Sequence, residues 1–299
     1  MTVSRAQEAS VAADRAAAKK EAASLAALSR ALVLVILGIW GILVIFPFVW
    51  LLYTSLKTDQ EIFFSPWSLP QALQWSNFAR AWVKAHVGRY FMNSVIVVAP
   101  SLVFTLLFSA MTAYVLARFP FPGKNVVLYL FMAGMMFPVF LGLVPLFFLL
   151  QKLNILNTYF GLILVYIAYS LSFTIFFLTG FFRTLPSELH ESAVIDGASQ
   201  YRIFFAVMLP LAQPGLVTVG IFNVLGMWNQ FILPLVLMSD SDKYLLTQGL
   251  NYMYHQQYYM NDWSALFAAV VLVMAPTLLV YALFQNQIQK GLTVGALKG

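Results

Sequence analysis

Stretches free of Asp, Glu, Lys and Arg recur along this chain at lengths beyond what a soluble helix needs. They run from Ala31 to Leu56, Tyr90 to Ala117, Asn125 to Gln151, Leu153 to Phe182, Ile203 to Ser239 and Trp263 to Gln289. About 20 predominantly apolar residues in α-helix cross a bilayer core, so each stretch is long enough to span it. The fifth is too long for one crossing, and Pro210 and Pro214 interrupt it early. Its crossing is therefore expected near Gly215 to Met238, with Tyr201 to Leu209 outside the hydrocarbon. The pattern predicts an all-α integral membrane protein of about six transmembrane helices, at 31–56, 90–117, 125–151, 153–182, 215–238 and 263–289. Residues 1–30 and 290–299 are read as tails, and 183–214 as a loop.

Composition supports the same solvent. The chain is 61% hydrophobic and 9% charged, far from the soluble mixture of about half apolar and a quarter charged residues. A net charge of +6 raises the question of nucleic acid, but the basic residues are scattered between apolar runs and form no patch. The expected partner is the lipid bilayer, with no nucleic acid. Eleven of the 17 Lys and Arg fall on the two tails and on the second and fourth loops. Cytoplasmic flanks are enriched in these residues, which predicts that both termini are cytoplasmic. The Ala-rich first thirty residues read as a frayed or surface-lying cytoplasmic helix. The apolar run after them is too long for a signal sequence, so no cleavage is expected.

The absence of cysteine excludes disulfides, thiolate metal sites and thiol nucleophiles. His86, His190 and His255 lie in three different loops and are assigned neither a metal site nor chemistry. Between the first two helices, Lys57 to Arg89 contains Trp67, Trp75 and Trp82. It is expected to be a folded or interface-hugging external segment. Its tryptophans read as an aromatic belt at headgroup depth, a docking surface being the other reading.

The fourth loop carries the most information, because a mere connector between two helices needs only about 2–8 residues. Pro186 and Ser187 make a helix start, with Glu188 and Glu191 in the first turns, where carboxylates favour the positive helix end. Gly197 can adopt positive φ, so it is expected to end that helix and turn the chain at Asp196, Gly197, Ala198 and Ser199. Tyr201, Phe204, Phe205 and Met208 then fall at i, i+3, i+4 and i+7, one apolar face of a second short helix. The loop is read as helix, turn, helix.

These residues carry a family resemblance. Glu191, Ser192, Ala193, Asp196, Gly197 and Ala198, followed by Val207, Leu209 and Pro210, resemble the EAA motif of the permeases of bacterial ATP-binding-cassette (ABC) importers. The family form is Glu, Ala, Ala, three residues, Gly, nine residues, Ile, one residue, Leu, Pro; here Ser192 replaces one Ala and Val207 the Ile. Three weaker stretches are similar to carbohydrate permeases of the MalG-like, maltose-type group. They are Asn77 Phe78 with Asn93 Ser94, then Trp228 Asn229, and the ending Gly291 Leu292 Thr293 through Gly295 Ala296 to Lys298 Gly299.

The resemblance implies that the fourth loop is a coupling helix seated in a groove of a cytoplasmic ATPase. It implies a second permease subunit in a heterodimer, two ATP-binding subunits that would hold ATP and Mg, an external sugar-binding protein, and a bacterial cell membrane. No catalytic residue and no cofactor are expected in this chain. It has no Gly-rich phosphate loop ending in Gly, Lys and Ser or Thr. Within the loop, Glu191 is expected to contact the ATPase and Gly197 to hold the elbow.

For the solute, the spans contain no carboxylate and no ammonium. That argues against a proton- or sodium-driven carrier, the alternative class, which normally needs an intramembrane ionisable group, and against a membrane enzyme. A neutral polar solute, a sugar before other polar solutes, fits better. Asn223, Trp228, Asn229 and Gln230 combine amides with an aromatic ring, suited to hydroxyl bonding and to stacking on a sugar. The other reading of these residues is glue between helices. Gly134, Pro138, Gly142 and Pro145 mark a kink in the third span, either moving during transport or only shaping packing.

Overall fold

A computed structural model describes the backbone of residues 2–296 and the side chains of 27–257 and 259–288. The side chains of the tail before residue 27 and of the ending at Gly291 to Gly299 lie outside the described residues. All regular structure among the described residues is helical, and the chain divides into two units, 1–73 and 74–299.

In the first unit, α1 (Thr2–Thr54) includes Ala27–Thr54, a span of mean hydropathy 2.9. α2 (Asp59–Phe64) follows at once behind a reciprocal cap. Thr58 Oγ1 accepts the Glu61 N–H at 3.3 Å, and the Glu61 carboxylate accepts the Thr58 N–H at 2.9 Å. The Glu61 carboxylate also accepts the Gln71 N–H at 2.8 Å. Lys57 donates its Nζ to the carbonyls of Ser65 and Pro66 at 2.9 and 3.0 Å. Trp67 packs on Phe46 and Trp50. The start of the external segment is thus tied down by bonds to its own backbone, as a folded segment requires.

In the second unit, α3 (Ser76–Ala79) runs into a π-helical turn, Arg80–Lys84, and then α4 (Val87–Arg118). The rest are α5 (Lys124–Met136), α6 (Val139–Lys152), α7 (Tyr159–Phe182), α8 (Glu188–Ile195), α9 (Gln200–Ile203), α10 (Leu209–Leu211), α11 (Gln213–Trp228), α12 (Ile232–Leu237), α13 (Leu246–Met260) and α14 (Trp263–Ala296). α4 packs along α7 in parallel. Near their N-terminal ends the Tyr159 hydroxyl donates to Asn93 Oδ1 at 2.8 Å, and near their C-terminal ends Tyr114 packs on Phe182. α11 runs back the other way, from Val219 near Phe182 to Trp228 beside Phe91.

The helices differ from the sequence expectation in three places. The expected crossing at 153–182 begins as a helix only at Tyr159. Asn154 and Asn157 take positive φ, and Thr158 Oγ1 caps the helix on the Gly161 N–H at 3.0 Å. The third stretch, expected at 125–151, is broken between α5 and α6 by a 99° bend. Pro138 stands at the break with φ −65° and ψ 122°, and it has no N–H to continue the first helix. The fifth, expected at 215–238, is helical only to Trp228, and α12 resumes at Ile232. Among the described residues, four helices are long and apolar enough to cross a membrane alone, or up to six if each bent pair is one span.

One end of this unit is polar and fixed by side chains singled out in the sequence. Asn77 Oδ1 accepts from Arg80 Nη2 at 2.9 Å, and Arg80 makes a bidentate pair with Asp262, both contacts at 3.0 Å. Asn93 Nδ2 donates to the carbonyls of Asp242 and Tyr244, both at 2.9 Å, and Ser94 Oγ accepts the Leu246 N–H at 2.8 Å. Trp75 packs on Phe78, and Trp82 on Phe91.

Candidate functional site

The opposite end of the unit is built from the fourth loop. α8 ends in a Schellman motif: the Gly197 N–H donates to Val194 O at 3.0 Å and the Ala198 N–H to Ala193 O at 3.1 Å, with Gly197 at φ +74°. Ser199 then caps α9 by accepting the Arg202 N–H at 3.3 Å. The helix, turn, helix reading holds, and the small residues of the motif acquire a reason. Ala193 and Ala198, brought together by the cap, pack on the apolar cluster beneath.

That cluster joins the loop to three long helices. Tyr114 of α4, Phe182 of α7, Ile203, Phe204 and Met208 of the loop and Val219 of α11 are all buried in it. The buried face of the second arm differs from the expected one. Tyr201 is 76% exposed and Phe205 47% exposed, while Ile203 takes an inward position. The inward positions are Ile203, Phe204 and Met208, and the spacing of the last two spans a π-helical turn over Phe204–Met208, which winds more widely than the 3.6-residue period. Outside, Glu191, Ser192, Asp196 and Gly197 are exposed, Ile195 is 84% exposed, Leu209 is half-buried and Pro210 is exposed. The loop is therefore a knob with a mixed polar and apolar outer face and a rigid, buried root.

Two side chains that spacing did not single out fasten the knob. Tyr114 Oη lies 2.9 Å from His190 Nδ1, joining α4 to α8, and the His190 ring also meets the rings of Tyr114 and Phe119 edge-on. Arg118 Nη2 donates to the carbonyls of Phe182 and Leu185 at 3.0 and 2.6 Å, satisfying acceptors left open where α7 ends. Residues 76 positions apart in sequence leave no periodic signal of such a contact.

The four polar candidates of the fifth span separate. Asn223 and Gln230, seven residues apart, line a cavity of about 270 Å³ that also meets Gly134, Tyr166, Tyr169 and Ser170. Trp228 and Asn229 do not line it. Trp228 packs edge-on against Phe91 at 5.3 Å, and Asn229 accepts from Thr277 of α14 at 3.3 Å. The helical period explains the split, because positions five and six residues after Asn223 point well away from its direction. Asn223 is also helix glue: its Nδ2 donates to Thr174 Oγ1 at 2.9 Å, and Thr174 donates to Ser170 O at 2.7 Å. The glue reading and the cavity reading both apply to this residue. The cavity lining contains no carboxylate, imidazole or thiol, so it offers a neutral surface and no ligand set for a metal.

With this geometry in hand, the chain can be set beside known proteins. Residues 106–294 match the family model of the binding-protein-dependent transport system inner membrane component. The diacetylchitobiose uptake system permease protein NgcG of Streptomyces coelicolor is 50% identical over 273 residues, covering 91% of this chain and 89% of the relative. The arabinooligosaccharides transport system permease protein AraQ of Halalkalibacterium halodurans is 34% identical over 259 residues, 85% and 91% of the two chains. A crystal structure of a bacterial ABC transporter involved in the import of the acidic polysaccharide alginate matches with a TM-score of 0.75 at 21% identity, over 84% of this chain and 93% of that chain. The chain belongs to the family of binding-protein-dependent transport system inner membrane components, the membrane-spanning permeases of ABC transporters.

Proposed function

We propose that this chain is a permease subunit of an ATP-driven importer of a sugar or oligosaccharide, and that its fourth loop couples an ATPase to the membrane helices. One observation carries the proposal: the α8 to α10 segment is exposed on its outer face and buried at its root between the ends of α4, α7 and α11. A partner that grips the outer face would move three long helices through packed side chains, which transmit displacement because interiors are close-packed. Glu191 supplies an exposed charge for hydrogen bonds to that partner, Ile195 an apolar contact, and Gly197 the elbow.

ATP and its Mg would be held by two separate ATP-binding subunits. A second permease would complete a heterodimer, an external binding protein would deliver the solute, and both termini would be cytoplasmic in a bacterial cell membrane. The names of NgcG and AraQ point to small oligosaccharides, diacetylchitobiose first because that relative shares half of its aligned residues with this chain. The neutral cavity beside Asn223 and Gln230 suits such a solute.

The test is purification of the tagged chain in mild detergent, with identification of what accompanies it and assay of vanadate-sensitive ATP hydrolysis. The expected result is a co-purifying ATPase whose association weakens in Glu191→Ala. A monodisperse lone protein, under conditions that keep related complexes intact, would overturn the proposal.

A further inference from the structure

The segment after α1 turns back along the helix it leaves. α1 ends at Thr54, yet the Trp67 ring lies 6.2 Å from that of Phe46 and 6.0 Å from that of Trp50. Phe46 belongs to the apolar span Ala27–Thr54. At 1.5 Å per residue it stands about 12 Å before the end of that span. The chain around Trp67 therefore returns to the depth of the span's last turns.

Backbone at that depth has to be satisfied from within the protein, because lipid offers no hydrogen bonds. The turn at Ser65 and Pro66 is satisfied in this way. The Ser65 carbonyl accepts from Lys57 Nζ at 2.9 Å and from Ser68 Oγ at 2.9 Å, and the Ser65 N–H donates to Glu61 O at 3.0 Å. The Pro66 carbonyl accepts from Lys57 Nζ at 3.0 Å and from Trp50 Nε1 at 3.2 Å. Pro66 and Pro70 have no N–H to satisfy. Lys57 is fully buried, its ammonium 5.1 Å from the centre of the Tyr53 ring. Burying a charge is unfavourable unless it is hydrogen-bonded, and here the charge serves as donor to two carbonyls.

The side chains of the same stretch point the other way. Phe64 is 85%, Leu69 74% and Trp67 71% exposed. Residues 62–73 contain no ionisable group, so this surface carries no charge with which to orient a protein partner. It continues the exposed apolar surface of α1.

We propose that residues 62–73 form a wedge seated in lipid, in the leaflet at which α1 ends. Phe64, Trp67 and Leu69 lie at the glycerol and upper acyl level, and Lys57 is the polar pin that lets the turn leave water. The partner is bulk bilayer lipid, which a non-directional apolar surface suits. The wedge does not depend on the importer reading.

The chain has no cysteine, so one introduced cysteine carries one spin label without background. Phe64→Cys and Leu69→Cys replace exposed side chains, and Ser241→Cys, at an exposed polar turn, gives the aqueous reference. The labelled full chain, with the subunits that co-purify with it, is reconstituted in phosphatidylcholine vesicles. Collision of each label with oxygen, which concentrates in lipid, is compared with collision with a water-soluble nickel chelate. The expected result is oxygen exceeding nickel at positions 64 and 69, at a depth of about 5–10 Å into the headgroup and acyl boundary, and the reverse order at 241. Nickel exceeding oxygen at 64 and 69 would make the segment a water-exposed loop and overturn the wedge. Low collision with both reagents, with immobilised spectra, would show a protein covering the patch and overturn it equally.

Discussion

Gly197 offers the sharpest test of the coupling loop, because backbone conformation and side-chain space can be separated there. Its φ of +74° lies in the left-handed region, and nothing lies within 4 Å of a β-carbon built on it. Substitution therefore meets no clash inside this chain, and its whole intrinsic effect is backbone strain. For an ordinary L-residue that strain is about 1–2 kcal/mol, less for Asn and more for a β-branched residue. At about 1.4 kcal/mol per factor of ten, Gly197→Val should deplete the native elbow roughly five- to thirtyfold relative to its alternatives. Gly197→Asn should deplete it only a few-fold. Co-purification with the ATPase and vanadate-sensitive hydrolysis should then fall in the order Gly, Asn, Ala, Val. Gly197→Asp, which carries the same left-handed tolerance as Asn but adds a charge, should lose import further if the partner approaches this surface closely. Wild-type behaviour of Gly197→Val, or equal damage from Asn and Val, would refute the argument from backbone conformation.

The remaining predictions concern the fastening of the bundle ends. Tyr114→Phe keeps the aromatic packing but loses the bond to His190, worth about 0.5–1.5 kcal/mol, and should lower solute imported per ATP hydrolysed about two- to tenfold. An unchanged ratio would remove His190 from the coupling path. Arg118→Leu leaves the Phe182 and Leu185 carbonyls without their charged donor and should destabilise the protein by about 2–4 kcal/mol, partly restored by Lys, as read from melting in detergent. Burial alone would raise the Asp262 carboxyl, but hydrogen bonds from Arg80, the Ala265 N–H and Ser264 outweigh it and hold the group below its ordinary range. A depressed carboxylate contributes stability that is complete above its unfolded pKa and lost as pH falls through its folded one. Melting midpoints should therefore drop on acidification below about pH 4 more steeply in the wild type than in Asp262→Asn; equal slopes would contradict this.

The family was legible in the sequence because its signals are local. Runs without charge mark membrane helices wherever they fold, and Gly197 between Ala193 and Ser199 writes a Schellman turn whatever surrounds it. Asn93 and Ser94, noticed only as part of a resemblance, prove to hold the Asp242 to Leu246 backbone at the far end of α4. Local pattern failed where winding departed from 3.6 residues per turn. Around the π-helical turn at Phe204–Met208 the buried face runs through Ile203, Phe204 and Met208, and Tyr201 and Phe205 of the expected apolar face are exposed.

The sequence by itself determined the solvent, the helices, the neutral interior and the elbow, since each follows from the composition and order of neighbouring residues. Only the tertiary structure decided which side chains meet. It divided the fifth-span candidates, sending Asn223 and Gln230 to a cavity and Trp228 and Asn229 to neighbouring helices. It set His190 against Tyr114, and it left the hydroxyl of Tyr166 buried without a partner. The physical reason is that contacts between distant segments depend on how the helices are rotated and bent, as at the 99° break before Pro138. Packing fixes that geometry, and no spacing along the chain records it.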